Sequence, residues 1–233
     1  MAYSTGYTFG FAFGICVFCS IAVAGAATSL KERQDINKER DLKSAILEAL
    51  QLGGDLEGPE IDQTWDDRVE LVFFRPDGSA VTDLASADLT GDGKLDEADA
   101  EAALLAVKGT NNKPELLPLY KRVDDGGTTG AWAMPVEGKG LWGPVSGYLA
   151  LAPDAAEVIG STFFGPKETP GLGAEIQEPA FESDWVGKKI MKDGQPKAIS
   201  VTKPGEASGP YEVDGISGAT ITSRGVDEMV AKG

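Results

Sequence analysis

The sequence predicts an α+β protein, a single N-terminal transmembrane helix followed by a mixed α/β domain. Three observations predict it. Residues 7–27 are apolar or small, and residues 1–30 contain no Asp, Glu, Lys or Arg. Behind them, helical and extended patterns interleave without a regular strand–helix–strand repeat. The remaining ~200 residues can bury one good core, with room for a small insertion.

The elements follow in order. About 20 apolar residues suffice to cross a bilayer as a helix, and the run from Tyr7 to Ala27 meets that length. A cleaved signal peptide competes, since Ala24-Gly25-Ala26 has the A-x-A form. No Lys or Arg precedes the run, whereas signal peptides start positive, so residues 1–30 read as an uncleaved anchor. Residues 31–56 form a connector. Ile36, Leu42, Ile46, Leu47 and Leu50 among charges predict a helix continuing from the membrane, ended by Gly53-Gly54.

Residues 57–233 form the domain. Val69–Phe74 reads as a strand, with a turn at Pro76-Asp77-Gly78. Ala98–Lys108 reads as a helix ended near Gly109. Gly147–Ala152 and Glu157–Phe164 read as strands, with Trp185–Met191 and Ala198–Val201 as further candidates. Val226 and Val230, four apart in a proline-free tail, predict a helix beginning near Thr222.

Charge narrows the function. The 37 acidic against 21 basic residues give a net charge of −16, which argues against nucleic-acid binding. The chain has no histidine, which excludes histidine acid–base chemistry, the common zinc sites and haem–histidine ligation. Cys16 and Cys19 lie inside the apolar span, so their C-x-x-C spacing is not a soluble redox or zinc motif. Packing in the membrane is the plain reading, and an iron or redox contact with a partner protein is its rival. Lys31, Arg33, Lys38, Arg40 and Lys43 follow the span and none precedes it, so the positive-inside rule alone places the domain in the cytoplasm.

An acidic loop at 88–99 fits the twelve-residue calcium pattern. Asp88, Thr90 and Asp92 fall at positions 1, 3 and 5, Gly93 at the sharp turn, Lys94 as a backbone carbonyl at 7, Asp96 at 9 and Asp99 at 12. Asp in place of Glu at position 12, and Thr at position 3, predict modest affinity. A solvated acidic turn is the alternative.

The densest signal is Asp214-Gly-Ile-Ser-Gly-Ala-Thr220-Ile-Thr-Ser223, a D-x-x-S-G-A-T-x-T-S string. A phosphate needs close approach by backbone N–H groups, and Gly218 and Ala219 leave little bulk in the way. Ser217, Thr222 and Ser223 add hydroxyl donors, and a helix starting here would point its positive end at the phosphate. Asp214 would shape the loop or be read by an attaching enzyme. The string resembles the signal by which a flavin transferase esterifies FMN onto a threonine, here Thr220. The plain alternative is a polar turn capping a short helix.

Two further loops bear on this. Gly138-Lys-Gly-Leu-Trp-Gly143 spells G-x-G-x-x-G, but Pro144 and a strand follow it, so it is not a dinucleotide fingerprint. Glu168-Thr-Pro-Gly-Leu-Gly-Ala-Glu175 is stiffened by Pro170 and loosened by Gly171 and Gly173, which suits a clamp on a flat ring or a tight turn.

These segments, with Cys19–Ala27, Gly138–Leu151, Trp185–Lys189 and Val213–Ser223, make the chain similar to the C subunits of Na+-translocating NADH:quinone reductases. The resemblance implies an FMN-binding domain held at Thr220 and facing the periplasm, in an inner-membrane complex that oxidises NADH, reduces ubiquinone and exports Na+. Its partners would be the other subunits of that complex, the membrane and, during maturation, a flavin transferase. The resemblance overrides the charge count in setting topology. It implies that Ser217, Gly218, Ala219, Ile221 and Thr222 cradle the phosphate side. Glu168, Thr169, Gly171 and Leu172 would meet the ring, with Trp142 and Lys203 nearby. The related G subunits of Rnf-type ferredoxin:NAD oxidoreductases share the attachment motif. From another class, a membrane-anchored, calcium-stabilised binding module without flavin is the rival.

Overall fold

The apolar run and the charged segment behind it form one continuous helix, α1, Thr5–Ala49. The computed structural model describes residues 4–54, 56–109 and 116–232, so the outer limits of the expected anchor and domain, residues 1 and 233, lie outside it. Within α1, Phe9–Lys31 has the length and composition to cross a membrane, at 23 residues and a mean hydropathy of 2.2. The chain divides into two compact units between Leu42 and Lys43. The end of the expected connector therefore belongs to the domain: Ile46, Leu47, Ala49 and Leu50 are fully buried in it. The helix stops earlier than the glycine pair suggests. Gln51 itself takes the left-handed conformation (φ 59°), and the N–H groups of Leu52 and Gly53 both return to the Leu47 carbonyl.

A five-stranded antiparallel sheet in the order β1-β2-β3-β4-β5 is the frame. Its strands are β1 Val69–Phe74, β2 Leu117–Asp124, β3 Thr128–Lys139, β4 Pro144–Leu151 and β5 Val158–Phe164. On one face lie the end of α1 and helix α2, Pro59–Arg68. There the Thr162 hydroxyl donates to the Ala45 carbonyl (3.2 Å), Arg122 Nη1 donates to the Leu50 carbonyl (2.8 Å), and the Trp65 ring meets Tyr120. On the other face Val136, Leu149, Leu151 and Phe163 form the main core with Phe181, Trp185, Val226 and Met229. Phe163, Phe181 and Trp185 stack at 5.2–6.1 Å between centroids.

Helix α3, Leu84–Ala87, and helix α4, Glu97–Gly109, flank the acidic loop. A 3-10 turn at Gly173–Gln177 and helix α5, Pro179–Ser183, follow β5. Next come the hairpin β6 Met191–Lys192 with β7 Gln195–Pro196, and the parallel pair β8 Ser200–Thr202 with β9 Glu212–Asp214. Helix α6, Thr220–Lys232, closes the chain.

Most expected elements are present, with two corrections. Trp185–Met191 is not a continuous strand: Gly187 (φ 82°) turns the backbone, Lys189 makes one isolated bridge with Glu157, and Met191 opens β6. The Ala198–Val201 strand is displaced to Ser200–Thr202, where it pairs with β9.

One carboxyl in this frame has an abnormal titration. Burial pushes Glu182 of α5 up to about 7, helped by the neighbouring Glu48 and Glu178 charges and opposed by the Phe163 N–H that donates to it (2.8 Å). The fold thus favours the protonated acid. The stability this confers is complete below the unfolded value of 4.5 and is lost as pH rises through about 7. Glu182→Gln keeps an acceptor for Phe163 and removes the titration. Its melting temperature is expected to fall less than the wild type's between pH 4.5 and 8, with the variant the more stable at pH 8. Parallel melting-temperature curves would refute this.

Candidate functional site

Three segments far apart in sequence meet at the start of α6. The strand β9 delivers the chain to the turn Gly215–Ala219, and Gly218 has a φ of 78°, a conformation only glycine adopts readily. Thr220 is the first residue of α6, two residues earlier than the valine spacing predicts, and its side chain is exposed. The first N–H groups of a helix have no intrahelical acceptor and carry the positive end of its dipole. Thr220, Ile221 and Thr222 supply these groups, and the exposed Ser217 hydroxyl stands beside them.

Not every expected donor faces outward. The Thr222 and Ser223 hydroxyls are buried, 1% and 7% exposed. Thr222 Oγ1 donates to Glu168 Oε2 (2.6 Å), and Ser223 Oγ accepts from the Ile216 N–H (3.0 Å). What Thr222 presents at the helix end is its backbone N–H. Asp214 shapes the loop, accepting from the Ala207 N–H at 2.9 Å.

The second segment is the Glu168–Gly173 loop. Leu172 lies on the attachment turn, where a Cβ placed on Gly218 would come within 2.9 Å of Leu172 Cδ2. The third is the turn between β3 and β4. Trp142 Nε1 donates to Thr169 Oγ1 (3.1 Å), and the Trp142 N–H donates to Glu168 Oε1 (2.9 Å). Across these three segments, Trp142, Ile221, Leu141 and Leu172 leave 65%, 55%, 46% and 41% of their surface in solvent. Leu141 is the member that sequence reasoning missed; its place in the same tight turn as Trp142 is the available signal. The turn is a β-hairpin closed by the Gly140 N–H to the Gly143 carbonyl (2.8 Å), consistent with the rejection of a dinucleotide motif.

Lys203 follows β8, whose Thr202 pairs with Asp214 and accepts the Gly215 N–H (3.0 Å). Its ammonium is 3.9 Å from Glu206 and 81% exposed.

The acidic loop is remote in its contacts. Asp88 Oδ1 accepts the N–H groups of Gly91 (2.6 Å) and Asp92 (3.2 Å), and Oδ2 that of Gly93 (2.8 Å). The buried Asp99 accepts the N–H groups of Leu89, Thr90 and Asp96. Burial raises its carboxyl, but the N–H groups of Thr90, Asp96 and Leu89 outweigh it and hold the group below its ordinary value. Among the described residues, no three of His, Cys, Asp and Glu gather as a metal-ligating cluster.

A glycine-shaped turn with free N–H donors, walled by exposed apolar side chains, suits a ligand with a phosphate and a flat ring, and the family match makes the class an FMN-binding protein. The FMN-binding domain family matches residues 140–233, which hold all three segments. The C subunit of the Na(+)-translocating NADH-quinone reductase of Haemophilus ducreyi is 34% identical over 223 residues, 91% of this chain and 83% of the relative. That of Pseudomonas aeruginosa is 32% identical, covering 97% of this chain and 90% of its own length. The crystal structure of the same reductase's C subunit from Parabacteroides distasonis aligns with a TM-score of 0.70 at 32% identity, over 86% of this chain and 91% of that one. Its counterpart from Shewanella oneidensis aligns with a TM-score of 0.65 at 28% identity, over 83% and 91%. The chain belongs to the family of the C subunits of Na(+)-translocating NADH-quinone reductases.

Proposed function

We propose that this chain is the electron-carrying member of a complex that oxidises NADH, reduces ubiquinone and exports Na+, with FMN esterified through its phosphate to Thr220. One observation carries the reading: the exposed Thr220 opens α6 among N–H groups without intrahelical acceptors, with Leu172 against the same turn and Trp142 bonded to the neighbouring Thr169.

The residues fit the group. A phosphodiester is anionic and accepts hydrogen bonds, which matches the backbone donors of Thr220, Ile221 and Thr222 and the Ser217 hydroxyl. A flat isoalloxazine has apolar faces and a polar edge, which matches Trp142, Leu172 and Ile221 beside Thr169 and the loop at Gly171. When bound, the flavin supplies the electron chemistry. The chain's own residues hold and orient it: Thr220 anchors, the α6 N-terminus neutralises phosphate charge, and the apolar walls exclude water from the ring. Lys203, at the strand end beside the attachment turn, adds positive charge to that side. Phe9–Lys31 anchors the domain in the inner membrane, with the domain in the periplasm, and other subunits bind NADH and exchange electrons with the flavin. A flavin transferase installs the group. Intact mass of chain made with that transferase tests this: the excess over the sequence should equal one FMN less one water, on the peptide containing Thr220. Unchanged mass would sink the reading.

The 88–99 loop supports a second, subsidiary site. Its backbone already curls around Asp88, whose Oδ2 accepts the Gly93 N–H and has a second lone pair to offer an ion. Weak calcium binding is proposed here, suited to a calcium-rich compartment. Millimolar calcium is expected to raise the melting temperature by a few degrees, and Asp92→Ala to abolish the rise. Identical melting curves in calcium and chelator would remove the site.

A further inference from the structure

The hydroxyl of Thr222 and the backbone of Trp142 share one partner, and neither needs a flavin to find it. We infer that Glu168 is a positioning residue: its carboxylate ties the Trp142 turn to the first turn of α6 and so assembles the cradle before the cofactor arrives. The inference rests on the proposed flavin site, but its test does not require flavin.

Glu168 is 6% exposed, and no lysine or arginine pairs with it among the described residues. Oε2 accepts from the Thr222 hydroxyl at 2.6 Å, a length typical of a charge-assisted O–H bond, and Oε1 accepts the Trp142 N–H at 2.9 Å. The space around it is committed. A Cβ on Gly140 would fall 2.4 Å from Oε1, and a Cβ on Gly173 would fall 2.4 Å from Oε2. A buried carboxylate without a cation depends on its hydrogen-bond donors, and removing it leaves the Trp142 N–H and the Thr222 hydroxyl without their acceptor. The links span 26 and 54 residues of sequence, so no local structure replaces them. Thr222 lies two residues after Thr220, and the next residue after Glu168, Thr169, holds the Trp142 indole. One side chain therefore links the helix turn that carries the anchor to the aromatic wall, in addition to the packing of α6 on β3. Its burial also keeps it away from a bound ring, which would rest on the exposed Thr169 and Leu172.

The experiment uses the full chain in detergent, made without the transferase, and reads amide hydrogen exchange at residue resolution. Glu168→Ala is expected to speed exchange at the Trp142 amide by roughly ten-fold or more, since a protected N–H loses its acceptor. Glu168→Gln should restore protection, because its Oε1 can still accept from Trp142 while its Nε2 donates to Thr222 Oγ1. Thr222→Val removes one link and should speed exchange only at the start of α6, read at the Ser223 amide, which donates to the Ala219 carbonyl and closes its first turn. It also serves if Glu168→Ala does not fold. In flavin-loaded chain, visible circular dichroism of the flavin should weaken in the alanine variant and persist in the glutamine variant. Unchanged Trp142 exchange in Glu168→Ala, or unchanged α6 exchange in Thr222→Val, overturns the inference. Glu168→Gln as defective as Glu168→Ala also overturns it, because charge rather than linkage would then be at work. A chain that never takes up flavin leaves the exchange result standing and counts against the flavin reading alone.

Discussion

Thr220→Ala is expected to yield a colourless chain whose mass equals the sequence, with the same fold. The attachment requires a hydroxyl oxygen, and alanine has none. Ser217 remains nearby, but it sits in the turn before α6 rather than at the helix end, where the N–H groups converge. Thr220→Ser keeps the oxygen and should retain the modification at reduced yield, because the lost methyl frees the rotamer. The melting temperature should move little in either variant, since Thr220 is exposed and exposed substitutions stay within about 0.5 kcal/mol. That separation matters. A variant that lost both flavin and fold would implicate the turn as structure, the reading in which S-G-A-T only caps a helix. In-gel ultraviolet fluorescence after denaturation reads the result directly. A fluorescent Thr220→Ala band of wild-type intensity would move the attachment elsewhere.

How much of this was legible follows from which interactions are local. The apolar span needed only composition, and it appears as Phe9–Lys31 within α1. Strand β1 and helix α4 carried their own periodicity and stops, and their bounds hold within a residue. The proposed attachment string stands out in the sequence because a phosphate demands small residues and free N–H groups in a row. Other elements were hidden. Strands β2 and β3 pair around Asp124-Asp-Gly-Gly127, whose Asp-Gly step was an available hairpin cue. Helix α2 is only ten residues, yet Pro59 at its start, Glu60 and Asp62 in its first turn and Arg68 in its last were available cues. Nothing in the sequence could reveal where the Thr222 and Ser223 hydroxyls point. Helix phase decides that, and the phase is set by α6 packing on β3. Nor could a one-dimensional reading bring Trp142, Glu168 and Thr222 together, since those bonds close only in the folded domain.

The packing of α6 on β3 gives the second large effect. Gly225 faces the end of β3, and a Cβ there would lie 2.2 Å from the Lys139 carbonyl oxygen and 2.9 Å from its carbon. Two terms oppose in Gly225→Ala. Alanine favours a helix interior over glycine by about 1 kcal/mol. The clash is with backbone inside a sheet ladder, where Gly138 pairs with Val145, so no side chain can rotate away. Overpacking of this kind costs about 1–3 kcal/mol or more, so the clash should win. The expected result is a melting temperature lower by roughly 2–8 °C for a domain of this size. Relief requires α6 to back away from the sheet. That movement carries Thr220 away from the Trp142 turn, so flavin content should fall together with stability. Ala231→Gly near the end of the same helix is the control: its side chain is exposed and it sits in the last turn, so it changes propensity by less than about 1 kcal/mol without moving the helix. Gly225→Ala more stable than wild type would show that the helix already stands further from β3 than these distances require.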